Sequence, residues 1–271
     1  MKQSIIVIKL GGTEGVDFSA ICKNAAELLK QDKRLILVHG GSSEANSLGE
    51  ALRAPPKFIT SPSGYTSRYT DRKTLGIFAM AVNGKVNTLL VEQLQMLGVN
   101  AFGLSGVDGK LLQATRKDSI QSIENGKRKI IRDDFTGKIE CVNAELLQTL
   151  LSNGYVPVIA PMAVSEKGEA LNVDADRAAA MVASALKAET LVLLTAVPGL
   201  MKNFPDESTL IRQLNQSQLS DALEAAQGRM KKKVLGAEEA LKGGVKRIVI
   251  ADGRIENPIS NALEGKGTVI Q

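Results

Sequence analysis

Ile5-Ile6-Val7-Ile8-Lys9-Leu10-Gly11-Gly12 and Leu35-Ile36-Leu37-Val38-His39-Gly40-Gly41 are two apolar runs that each end in a glycine pair. Near-continuous runs of this kind suit strands buried on both faces, as in a parallel sheet. Between them, Phe18, Ile21, Cys22, Ala25, Leu28 and Leu29 keep the three- and four-residue rhythm of an amphipathic helix over Asp17 to Gln31. Paired glycines at a strand exit let the backbone turn sharply and turn its N–H groups toward an anion. Ligands of open α/β sheets sit at the carboxyl edge, so two such exits form a floor for phosphate or carboxylate, with Lys9 beside it.

The pattern continues along the chain. A helix is predicted from about Ser43 to Leu52, stopped by Pro55-Pro56. Residues 57–70 read as a hairpin or flap, and a helical stretch follows from Asp71 to Leu97, interrupted near Asn83-Gly84. Val99–Leu104 reads as a strand. Residues 111–140 read as a β excursion with Glu124-Asn125-Gly126-Lys127 as a hairpin turn. Asn143–Leu151 is helical, Tyr155–Ala160 a strand, and Ser165–Glu169 a second hairpin tip. An alanine-rich helix from Asp174 to Lys187 leads into the strand Thr190–Thr195, and a helix near Arg229–Leu241 feeds the strand Arg247–Ala251. Alternating strands and helices imply a three-layer αβα sandwich with a central, mainly parallel sheet, the two hairpin-bearing stretches making two lobes on it.

Composition narrows the function. The chain has 271 residues, 44% hydrophobic, enough for a large core. No apolar run of about 18 residues and no signal-peptide pattern is visible, so no membrane association and a cytoplasmic location are expected. Cys22 and Cys141 lack metal-ligand spacing and read as reduced core thiols. A single histidine, His39, excludes a histidine-built metal site, and no metal-ligating residues are assigned. The net charge of +5 favours acidic ligands. With 3% aromatics and no tryptophan, a base-stacking nucleic-acid module is disfavoured.

Common nucleotide motifs fail. There is no GxxxxGK[ST], no GxGxxG after the first strand and no GxSxG elbow. Four places remain: Lys9-Leu-Gly-Gly, His39-Gly-Gly, Asn172-Val-Asp-Ala-Asp176 and Gly228-Arg-Met-Lys-Lys-Lys-Val234. In that order they resemble the amino acid kinase family, across essentially the whole chain. Its members phosphorylate a carboxylate, carbamate or related acceptor with ATP, in the carbamate kinase-like fold. Gly40-Gly41-Ser42-Ser43-Glu44, Ser67-Arg68-Tyr69-Thr70-Asp71 and the ending Ala251-Asp252-Gly253-Arg254 to Asn257-Pro258 lean toward one branch. It contains acetylglutamate kinase and a relative acting on aminoadipate attached to the small acidic carrier protein LysW.

The resemblance implies roles. Lys9 and Lys233 stabilise the transferring phosphoryl group, and Asp176 holds both. Gly40, Gly41, Arg68 and Asn172 bind the amino-dicarboxylate acceptor. Gly11, Gly12, Thr195, Val197, Gly199 and Leu200 lie beside the nucleotide, with Ala196 where many relatives carry aspartate or asparagine. ATP with Mg²⁺, a LysW partner and a homodimer follow from the same likeness. So does one domain over residues 1–271, with an acceptor half to about residue 165 and an ATP half after it. The alternative acceptors are N-acetylglutamate and carrier-linked glutamate of arginine biosynthesis. A non-catalytic nucleotide- or amino-acid-binding module is a further alternative, opposed by the intact Lys9, Asp176 and Lys233.

The residue chemistry agrees. A glutamate-like carboxyl has a pKa of about 4.3, so at neutral pH the acceptor is already an anion and needs no base. Repulsion from the γ-phosphate is the obstacle, and fixed positive charge answers it. His39 is accordingly read as structural. Consecutive helical residues do not share one face, so Lys231 and Lys232 are read as a solvated surface. Lys127-Arg128-Lys129 is read as a solvated hairpin edge, Phe78 and Met80 as core, and Asp174 as a favourable charge in the first turn of its helix.

Overall fold

A computed structural model describes residues 4–11, 16, 18–62, 64, 66–124, 127–219, 222 and 228–271. In chain order the elements are β1 (Ile5–Leu10), α1 (Phe18–Leu29), β2 (Arg34–His39), α2 (Ser42–Ala51), β3 (Phe58–Thr60), β4 (Thr66–Arg68), α3 (Arg72–Ala79), α4 (Thr88–Met96), β5 (Ala101–Ser105), β6 (Leu112–Arg116), β7 (Ile120–Glu124), β8 (Lys127–Ile131) and β9 (Gly137–Val142). Then follow α5 (Ala144–Ser152), β10 (Val156–Ala160), β11 (Met162–Val164), β12 (Ala170–Asn172), α6 (Ala175–Ala185), β13 (Thr190–Thr195), β14 (Gln213–Leu214), α7 (Gly228–Lys242), β15 (Arg247–Asp252), α8 (Pro258–Leu263) and β16 (Thr268–Ile270).

The main sheet runs β14-β16-β15-β13-β1-β2-β10-β5 and is parallel except where β15 meets β16. Its central strands carry apolar side chains on both faces because both are covered. Ile21, Cys22, Leu90, Leu94 and Ile259 of α1, α4 and α8 pack one face. Leu147, Ala179, Val182, Val234 and Ala237 of α5, α6 and α7 pack the other. The αβα sandwich expected from the strand and helix alternation is therefore observed. In register, Lys9 lies beside Val38 of β2 and Leu193 of β13, and Leu10 beside His39, so both glycine-paired exits open at one edge.

The hairpin-bearing stretches form two further sheets, β4-β3-β7-β8 and β12-β11-β6-β9, rather than lobes of the main one. Proline at 161 separates β10 from β11. At the neighbouring exit of β5, a Cβ on Gly106 would stand 1.8 Å from Met162 O, so only glycine fits that crossing. The turn residues Asn125 and Gly126 lie outside the described residues.

Other expectations need correction. The helical run Arg72–Met96 is unbroken: at Met80–Asn87 it winds as a π-helix between α3 and α4. By length and composition this run suffices to cross a membrane, which polar Asn83, Lys85 and Asn87 hide in the sequence. Here Leu75, Phe78, Val82, Leu90 and Leu94 bury its inner side. Met80 points outward, 52% exposed, where core was expected. Cys22 is buried, but Cys141 on β9 is exposed.

Helix α8 escaped the sequence reading, and its start shows why. Asn257, at its N-cap, has a left-handed φ of 51° and no side-chain cap bond. The cap comes instead from Asn24 of α1, whose Oδ1 accepts from Ile259 N and Ser260 N, each at 2.9 Å, while Nδ2 donates to Ser260 Oγ at 2.7 Å. Removing a buried partner of backbone N–H groups costs about 1–3 kcal/mol. Asn24→Ala is therefore expected to lower unfolding stability by that amount in urea titrations, and Asn24→Asp, which keeps the acceptor oxygen, by less.

Candidate active site

Three elements deliver three charges to one point at the carboxyl edge of the sheet. β1 ends with Lys9, α6 opens with Asp176 in its first turn, and α7 brings Lys233 over α6. Lys233 Nζ donates to both carboxylate oxygens of Asp176, at 2.9 and 3.0 Å. Lys9 Nζ lies 2.9 Å from Asp176 Oδ1. All three side chains are buried. Asp174 is the N-cap of α6, its Oδ1 accepting from Asp176 N and Arg177 N, so it fixes the turn that carries Asp176.

Electrostatics follow from one carboxylate facing two ammonium groups. Burial works against the Asp176 charge, but Lys233 and Lys9 outweigh it and hold the carboxyl well below its ordinary range. At Lys9, burial is outweighed by Asp176 and the ammonium is held above its usual value. At Lys233, burial dominates over Asp176, and the neighbouring Lys9 charge adds to it, bringing the group down to about 8. The opposite shifts have one cause: a single carboxylate offsets one ammonium, so the cluster gives up one proton early, assigned here to Lys233.

A cavity of about 190 Å³ adjoins this cluster and is lined by Lys9, Gly11, Gly41, Asp174, Thr195 and Lys233. A Cβ on Gly11 would approach Leu194 O to 2.9 Å, so the strand exit passes too close to β13 for any side chain. A second cavity of about 620 Å³ shares the Gly40-Gly41-Ser42 wall and is closed by Arg68, Asn172 and the flap hairpin β3–β4. Gly40 N donates to Leu10 O at 3.2 Å, so its N–H is committed to the scaffold. Arg68, at the end of β4, is buried, donating from Nη2 to Ser42 O and Asn46 Oδ1, with its guanidinium 5.3 Å from the Phe58 ring. Asn172 Nδ2 donates to Thr70 Oγ1 at 3.1 Å. Asp134, which no sequence motif marks, accepts from Thr70 N and Thr136 N and so ties the segment after the flap to the loop entering β9.

The structure thus brings together Lys9, Gly11, Gly40, Gly41, Arg68, Asn172, Asp176, Thr195 and Lys233. Gly12 lies outside the described residues. Val197, Gly199 and Leu200 are absent from both cavity walls. Leu200 is core, its N–H bonded to Thr268 Oγ1, and a Cβ on Gly199 would meet the same hydroxyl at 2.6 Å, so these two serve the packing of β16. The reading of Lys231 and Lys232 as solvated surface is corrected: both are half-buried and line the larger cavity, with Lys232 Nζ 3.7 Å from Asp174 Oδ2.

Two buried lysines held by one carboxylate, beside two cavities that share a backbone wall, suit a phosphotransferase. A model of the amino acid kinase family matches residues 4–252, and the chain belongs to that family. As a kinase it uses ATP. Over 267 residues it is 56% identical to the LysW-aminoadipate kinase of Deinococcus radiodurans, covering 98% of this chain and 91% of that protein. It is 52% identical over 269 residues to the LysW-aminoadipate kinase of Thermus thermophilus, covering 98% of this chain and all of that protein. Among solved structures, N-acetylglutamate synthase from Neisseria gonorrhoeae, complexed with coenzyme A and N-acetyl-glutamate, superposes with a TM-score of 0.80 at 26% identity. The match covers 98% of this chain and 59% of the synthase.

The pH dependence follows from the lysine cluster. Lys233 is lowered to about 8, so its charge is present below that pH and lost as pH rises through it. The expected outcome is a kcat/KM for ATP that declines above about pH 8, measured by ADP release. A profile flat from about pH 7 to 10 would contradict the assignment.

Proposed function

We propose that this protein transfers the γ-phosphoryl group of ATP to the side-chain carboxylate of α-aminoadipate carried on the protein LysW, forming an acyl phosphate in lysine biosynthesis. The observation that carries the chemistry is Asp176 clasped between Lys9 and Lys233 beside the shared wall of two cavities. The acceptor assignment is supported by the two bacterial relatives above 50% identity, both bearing that name.

The acceptor arrives as an anion, so no general base is required. One carboxylate oxygen bonds to the γ-phosphorus as the bond to the ADP oxygen breaks, and the electron pair leaves with ADP. Lys9 and Lys233 offset the negative charge on the phosphoryl oxygens, and Asp176 keeps both ammonium groups in place without taking a proton. Gly41, Arg68 and Asn172 hold the acceptor, and Gly11 and Thr195 border the phosphates. Mg²⁺ bound with the nucleotide would add positive charge beside its phosphates. Both oxygens of Asp176 are engaged by lysines, Oδ1 of Asp174 caps α6, and its Oδ2 faces Lys232 Nζ at 3.7 Å. The ion would therefore be held chiefly by phosphate oxygens and water.

The chain is read as one domain, with an acceptor half up to about residue 165 and a nucleotide half after it. Asn172, Lys231 and Lys232 reach back into the acceptor cavity. Homodimerisation and a cytoplasmic location complete the reading, on the family likeness.

Hydroxylamine trapping with ATP and magnesium tests the function. Carrier-bound aminoadipate is expected to give hydroxamate well above free N-acetylglutamate and carrier-bound glutamate; a stronger signal from either would replace the acceptor, and none from all three would end the kinase reading. Lys9→Ala and Lys233→Ala are each expected to lower kcat by about 10²–10³ with little change in acceptor KM, since the charges act on the transition state.

A further inference from the structure

Phosphoryl transfer leaves two features of the chain unused: His39, its one histidine, and the π-helical stretch Met80–Asn87. They meet behind the Gly40-Gly41 loop. A π-helical turn inside an α-helix shifts side chains off the α-helical stripe, and such turns recur at functional sites. Here it presses Val82 onto the loop, where a Cβ on Gly41 would lie 2.7 Å from Val82 Cγ1. At its last residue, Asn87 Nδ2 stands 2.8 Å from Val158 O and 3.0 Å from His39 Nε2. Asn87 Oδ1 sits over Gly103 of β5, where a Cβ would be 2.2 Å away.

These contacts determine where the imidazole proton lies. Val158 O can only accept, so the Asn87 atom facing it is the NH₂ nitrogen, and His39 Nε2 receives a hydrogen bond through its lone pair. The proton of the neutral ring is then on Nδ1, which donates to Gly40 O at 2.7 Å. The ring is neutral: burial, opposed by the Gly40 bond and reinforced by the Lys9 charge, lowers His39 to about 4. A trans peptide points its C=O and N–H in opposite directions. Anchoring the Gly40 carbonyl on His39 therefore turns the Gly41 N–H away from His39.

We infer that His39 and Asn87 are positioning residues for the acceptor: the π-helical turn places Asn87, Asn87 selects the Nδ1–H form of His39, and His39 orients the Gly40–Gly41 peptide. The inference rests on the reading of that loop as the acceptor's seat. It assigns a task to a buried histidine that neither gains nor loses a proton during turnover.

A single histidine makes the test direct. In long-range ¹H–¹⁵N spectra of untagged, ¹⁵N-labelled protein at pH 7, one neutral imidazole protonated at Nδ1 is expected; an Nε2–H tautomer or an imidazolium overturns the relay. In kinetics with carrier-bound aminoadipate, Asn87→Ala and Gly103→Ala, the latter displacing the Asn87 carboxamide, are each expected to raise acceptor KM at least tenfold while ATP KM stays within twofold. His39→Asn, which offers a carboxamide N–H near the Nδ1 position, is expected to recover more of the acceptor KM than His39→Leu. Wild-type acceptor KM in both Asn87→Ala and Gly103→Ala overturns the proposal. If Asn87→Ala does not fold, Gly103→Ala and the wild-type tautomer decide. If wild-type protein makes no acyl phosphate, the kinase reading fails by itself and the tautomer still judges the relay.

Discussion

Everything at the carboxyl edge of this sheet is arranged around one carboxylate. Asp176 accepts two ammonium groups in a buried place, and neither lysine belongs to the helix that carries it. Burial of unpaired ammonium is prohibitive in a low-dielectric interior, so removing the aspartate would expel or neutralise at least one lysine. The constraint reaches the fold: β1, α6 and α7 must converge, and they do so because α6 presents alanines where it packs against the sheet and α7. The buried charge cluster and core packing therefore share the same helices.

The pairing leaves the cluster one positive charge in excess before any substrate binds. Such an excess favours anionic ligands at this edge. The wall Gly40-Gly41-Ser42 stands between the two spaces, so one short backbone segment borders both cavities. Glycine is required there for a measurable reason: Val82 closes on Gly41 from behind, as β13 closes on Gly11.

The sequence was readable where a single physical signal dominated. Strands β1, β2, β10, β13 and β15 are apolar because both faces are covered, and that pattern survives without knowledge of their neighbours. Legibility failed where the signal was remote or split. β14, β16 and α8 are short, and α8 takes its cap from Asn24, more than two hundred residues away in the chain. A π-helical turn leaves no periodicity that distinguishes it from an interrupted α-helix. One helix face cannot carry Lys231, Lys232 and Lys233 to a single site, but two adjoining cavities meet α7 from different directions, which the sequence pattern does not reveal. For Val197, Gly199 and Leu200 only the family likeness carries the nucleotide role; their segment follows β13 at the same edge, where Leu200 N–H is bonded to Thr268 Oγ1.

The two cysteines differ in a way that has experimental use. Cys22 is enclosed on the inner face of α1, while Cys141 stands exposed on β9, in the strand that begins beside Thr136 and the larger cavity. A thiol-reactive fluorophore or spin label would thus attach at one known position without mutagenesis. It would report on the neighbourhood of the larger cavity as ligands are added. The same accessibility makes Cys141 the place where oxidants would first join two molecules, so preparations kept without reductant would accumulate a covalent pair unrelated to native assembly.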